Sequence, residues 1–144
     1  MYNIWKSNYI EVEPDNEYYI RIYGHNNNPG GYEAIAEDVR VKFIIPPESG
    51  RTIVVEGQIA SSNAEPDRYW DDVVLSCKDR FRLEYIEGSA HLENNEIGAG
   101  SGVTLSDDVA NSWVMVGYNA LDGEIPGCYK YDFYITFKVK VVAV

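Results

Sequence analysis

The C-terminal segment YDFYITFKVKVVAV alternates without a break, and that period of two constrains the fold more than any other feature. Phe133, Ile135, Phe137, Val139 and Val141 share one phase; Tyr134, Thr136, Lys138 and Lys140 share the other. Successive side chains of an extended strand point to opposite faces, so the pattern predicts a strand with one buried face. The same rhythm recurs upstream. In EYYIRIYGH, Tyr18, Ile20 and Ile22 oppose Tyr19, Arg21 and Tyr23. In DVRVKFII, Val39, Val41, Phe43 and Ile45 oppose Arg40 and Lys42. In RFRLEYIEG, Phe81, Leu83 and Tyr85 face inward against Arg80, Arg82 and Glu84.

Shorter strands are expected at Ile10 and Val12, in TIVVEGQIA, in VVLSC, in AHLEN (a hairpin partner or near neighbour of RFRLEYIEG) and in WVMVGY. Their boundaries carry turn chemistry: Pro14-Asp15-Asn16, NNNPGG, Pro46-Pro47 and NALDGEIPGC. SSNAEPDRYWDD reads as a polar crossing between strands, and TLSDDVA as one helical turn at most. Eight or nine strands without a useful helix predict an all-β domain, a two-sheet antiparallel β-sandwich. The expected core holds Val39, Val41, Phe43, Leu83, Tyr85, Phe133, Ile135, Phe137 and Val139.

At 144 residues the chain fits one domain, residues 1–144, with enough apolar content to bury a core without metal. A formal charge of −11 disfavours nucleic acid and anionic membrane surfaces as partners, because both must be neutralised by Lys and Arg. No apolar run approaches the roughly 20 residues of a membrane span, so membrane insertion by this domain is not expected. MYNIWKSNYI lacks the basic and apolar regions of a signal peptide; the expectation is a domain cut from a longer exported chain, with a complete cytosolic protein as the alternative. Cys77 and Cys128 have neither zinc nor redox spacing. Two free thiols are expected; the alternative, a bridge between them, would stabilise by about 4 kcal/mol in the chain-entropy model.

Chemistry is thinly represented. His25 and His91 are the only histidines, and neither has the context of a base held by a third group. The acids offer no pairing that marks a glycosidase, and no enzyme is expected. No cofactor is expected either, although calcium needs hard loop oxygens and Asp67, Asp71 and Asp72, or Asp122 with Glu124, supply them. Aromatic rings stack on sugars, and Tyr19, Tyr23 and Tyr134 occupy outward phases that would suit a glycan. Trp5, Trp70 and Trp113 are assigned to the core. A Lys–Asn isopeptide staple is not expected, since Lys42, Lys138 and Lys140 fall on outward phases.

YIRIYGHNNNPG followed by DVRVKFIIPP resembles the immunoglobulin-like repeats of bacterial surface proteins. ASSNAEPDRYWDDV, FRLEYIEGSAHLENN, GVTLSDD, VGYNALDGEIPGC and KYDFYITFKVKV resemble uncharacterised exported proteins of Gram-positive bacteria, over about residues 17 to 142. The resemblance implies an immunoglobulin-like sandwich and an extracellular, secreted or cell-wall-associated setting. It carries no catalytic residue, and its motif positions Asn26, Trp70, Gly88, Asp108, Gly123 and Gly127 are expected to set turns and packing. The expected function is a non-enzymatic surface module, a spacer or an adhesive domain whose partner is a protein or glycan on a cell surface. The alternative is a carbohydrate-binding module for cell-wall or host glycans.

Overall fold

The computed structural model describes residues 9–24, 34–63, 68–127 and 132–144. They form an all-β domain of nine strands: β1 (Tyr9–Glu11), β2 (Glu17–Gly24), β3 (Arg40–Ile44), β4 (Gly50–Ala60), β5 (Arg68–Tyr85), β6 (His91–Glu93), β7 (Val103–Thr104), β8 (Val114–Met115) and β9 (Phe133–Ala143). The expected helical turn in TLSDDVA is a 3-10 turn, Asp107–Val109, which Ser106 caps by accepting a hydrogen bond from the Asp108 N–H.

One continuous sheet links the strands in the order β7-β6-β9-β5-β4-β3-β8. β2 adds antiparallel to β9, while β1 runs parallel to β5, so the pairing is not wholly antiparallel. The sheet is curled rather than flat, and β5 shows why. Its first half pairs with β4 as far as Ser76 opposite Thr52; the next pair is Phe81 opposite Gly50. Cys77 to Arg80 lie against Arg51 alone, three residues more than the ladder needs, and such a bulge bends and twists its strand. Beyond it, Phe81 to Tyr85 pair with Ala143 to Val139 of β9. A single strand thus hands the chain from one part of the sheet to another.

Two expectations about β5 and its neighbours are corrected here. Arg68 to Asp72 belong to β5 rather than to a polar crossing, so VVLSC and RFRLEY are one strand of 18 residues. Charged residues fall on both phases there, Arg68 and Asp72 on one and Asp71 on the other, which hides the extended backbone. AHLEN is a near neighbour of RFRLEY along β9 and not its hairpin partner; it pairs with β9 and β7, with His91 opposite Thr136 and Thr104. The turn through Gly88, at φ 78°, steps the chain along the same edge of β9 instead of reversing it into a hairpin.

The inward phase is where the alternation puts it. Val39, Val41, Phe43, Leu83, Phe133, Ile135, Phe137 and Val139 are buried; Tyr85 is half-buried, with its hydroxyl at the surface. Phe137 gains on the order of 1.5–3 kcal/mol from burial of its ring. β3 and β9 are not neighbours in the sheet, yet the Phe43 and Phe137 rings are in contact inside the curl. Gly57 of β4 makes room there: a Cβ would come within 3.1 Å of Ile22 on β2 and 3.3 Å of the Phe43 ring. Cys77 is a half-buried free thiol, and Cys128 lies outside the described residues.

Candidate functional site

Cross-strand partners share a face of a sheet, so the register assembles the outer surface of β8, β3, β4 and β5 residue by residue. Lys42 lies opposite Gln58, and Gln58 opposite Trp70. Arg40 lies opposite Met115 and Ala60, with Arg68 beyond Ala60. Trp113, just before β8, completes this surface by contact. Its ring centroid lies 4.6 Å from Lys42 Nζ, 5.2 Å from Arg40 Cζ and 5.7 Å from Arg68 Cζ. Each is within range of a cation–π attraction of about 0.5–1 kcal/mol at an exposed site. The indole therefore gathers three cations from two strands into one cluster.

Trp70 stands beside that cluster and is 67% exposed. This corrects its expected place in the core: it serves neither packing nor a turn. The phase of Leu75 carried back along β5 puts Trp70 outward, which is the signal in the sequence that locates it. One step further along β5, Asp72 lies opposite Glu56 and forms an acidic margin. Gln58 Nε2 donates to Glu56 Oε1 at 2.9 Å, while Gln58 Oε1 is buried without a hydrogen-bond partner. The face thus grades from three cations, through an exposed indole and an amide, to two carboxylates.

The outer face of β2 and β9 carries the tyrosines expected to meet a glycan, and they differ in exposure. Tyr19 is 68% exposed with Lys138 Nζ 5.0 Å above its ring. Tyr134 is half-buried under Arg21, whose guanidinium lies 5.1 Å from the ring centroid. Tyr23 is the correction. Although its phase is outward it is only 6% exposed, because it packs against Tyr134 and donates a hydrogen bond to the Asp132 carboxylate. Lys138 also pairs with Glu17 at 3.7 Å, so this face spends its cations on its own side chains.

Asp71 and Asp72 point to opposite faces of β5, as adjacent strand residues must. Asp122 accepts a hydrogen bond from the Glu124 N–H within its own turn. Among the described residues, no group of three or more His, Cys, Asp or Glu side chains is arranged to hold a metal ion; Asp67 and His25 lie outside those residues. His91 Nδ1 is 2.8 Å from the Ser89 carbonyl, which fixes Nδ1 as the protonated nitrogen. Tyr85 and Asp107 form a structural pair. Tyr85 donates to Asp107 at 2.6 Å, and the Gly88 N–H donates to the same oxygen at 2.8 Å. Burial and the neighbouring carboxylate push the Tyr85 phenol up to about 12, and the two donated bonds hold Asp107 below the usual carboxylate range. A phenol shifted upward is a poor base at neutral pH.

No protein-family model, curated protein or solved structure matches the chain. Among the described residues, no helix is long and apolar enough to cross a membrane.

Proposed function

We propose that the domain is a non-catalytic binding module that holds a glycan on the Trp70–Trp113 face. The observation that carries this reading is the exposure of Trp70 on a face built from four strands. A spacer has no use for an indole in water, whereas a sugar ring laid on it removes apolar area from solvent at about 25 cal/mol per Å². Rigid strand positions also hold the ring ready, which lowers the ordering cost of binding. Polar groups at the ring edge, from Gln58, Arg68 and Asp72, are suited to sugar hydroxyls.

The proposed setting is extracellular, secreted or attached to the wall of a Gram-positive bacterium, and it rests on the motif resemblance. The finer fold reading is an immunoglobulin-like sandwich in which the halves of β5, before and after its bulge, serve separate layers; the Phe43–Phe137 contact supports it. The functional test is affinity electrophoresis in gels containing soluble polysaccharides. Retardation by at least one of them, abolished by Trp70→Ala at an unchanged unfolding midpoint, is the expected result. Free migration in every gel would refute glycan binding and leave the spacer reading.

A further inference from the structure

The cations beside Trp70 narrow the ligand. Resting on the glycan reading, we infer that this face selects an acidic saccharide, one whose sugar ring carries a carboxylate or sulfate. The chain carries −11 overall, so a local cluster of three cations runs against its general charge. Arg40, Lys42 and Arg68 form no ion pair with a carboxylate among the described residues; their shared neighbour is the uncharged Trp113 ring. Arg40 also donates to the Asp38 carbonyl at 2.9 Å, which steadies the guanidinium without neutralising it. Held this way, the three cations are presented together to an incoming anion.

Placement gives the selection a direction. Arg68, Trp70 and Asp72 follow one another on the same face of β5, each step about 6.6 Å along the strand. A sugar stacked on Trp70 therefore meets a guanidinium on one side and a carboxylate on the other. An acidic substituent is drawn toward Arg68, where a planar fork of donors matches a carboxylate or sulfate oxygen pair. It is repelled from Asp72 and Glu56. Neutral sugars gain the stacking without the charge term.

The experiment compares matched polysaccharides in affinity gels at low salt. Polygalacturonate and hyaluronan carry carboxylates alone, dextran sulfate carries sulfate alone, and carboxyl-reduced polygalacturonate and dextran are the neutral counterparts. Retardation by an acidic polymer at least tenfold stronger than by its neutral counterpart is expected. Arg68→Gln should weaken it about tenfold, and Asp72→Asn should strengthen it; both positions are exposed, and circular dichroism checks their folding. Preference between hyaluronan and dextran sulfate identifies the anion. Equal retardation by acidic and neutral polymers would overturn the inference while the glycan reading stands. Retardation by acidic polymers that Arg68→Gln leaves unchanged would overturn it too. Absence of retardation by every polymer would overturn both.

Discussion

The rings of Phe43 and Phe137 lie 4.2 Å apart, centroid to centroid, although β4 and β5 separate their strands in the sheet. Their tilt of 56° is a favourable arrangement for two aromatic quadrupoles. This contact closes the curl, so removing one ring should cost both buried area and the cavity left behind. Phe137→Ala is expected to destabilise by about 3–5 kcal/mol, read as a fall in the urea midpoint at unchanged slope. A loss below about 1 kcal/mol would mean that the ring is not buried between the strands.

Gly57 gives a prediction whose sign is informative. Replacing a strand-interior glycine with alanine ordinarily stabilises by about 0.5–1 kcal/mol. Here the added Cβ would crowd Ile22 and the Phe43 ring, at 3.1 and 3.3 Å. Gly57→Ala should therefore destabilise, and Gly57→Val should do so by about 1–3 kcal/mol. A raised melting temperature for Gly57→Ala would contradict the close approach of β2 to β4.

The Tyr85–Asp107 pair predicts a dependence on pH at both ends of the scale. Asp107 titrates lower in the folded state, so its contribution is present above the ordinary carboxylate range and is lost as pH falls through the folded value. Tyr85 titrates higher, at about 12, so its contribution is full below about 10, the unfolded value, and is lost as pH rises from there through about 12. Phenolate absorbance should show a late-ionising step to which Tyr85 contributes. Asp107→Ala should bring that step part of the way back, burial retaining the remainder. An unchanged late step in the variant would place the cause elsewhere.

Much of this architecture is legible in the sequence where each strand has one wet and one dry face. β9 is the plainest case, with Phe137 and Val139 inward and Lys138 and Lys140 outward. Four features escape. Charged residues fall on both phases between Arg68 and Asp72, so composition imitates a loop. The partner of AHLEN is set by the distant β9, about which the local residues hold no information. Tyr23 is covered by Tyr134 and tied to Asp132, tertiary contacts that override an outward phase. Trp70 failed for a different reason: residue type favours the core, while phase correctly places it in water.

The two aromatic faces make the central claim directly testable by two-dimensional NMR. Addition of a retained polysaccharide should shift the Trp70 and Trp113 indole N–H signals and the amides of Arg40, Lys42 and Arg68. Signals from Tyr19, Arg21 and Tyr134, on the face of β2 and β9, should stay in place. Shifts confined to that tyrosine face, with Trp70 and Trp113 unmoved, would contradict the assignment of the binding surface.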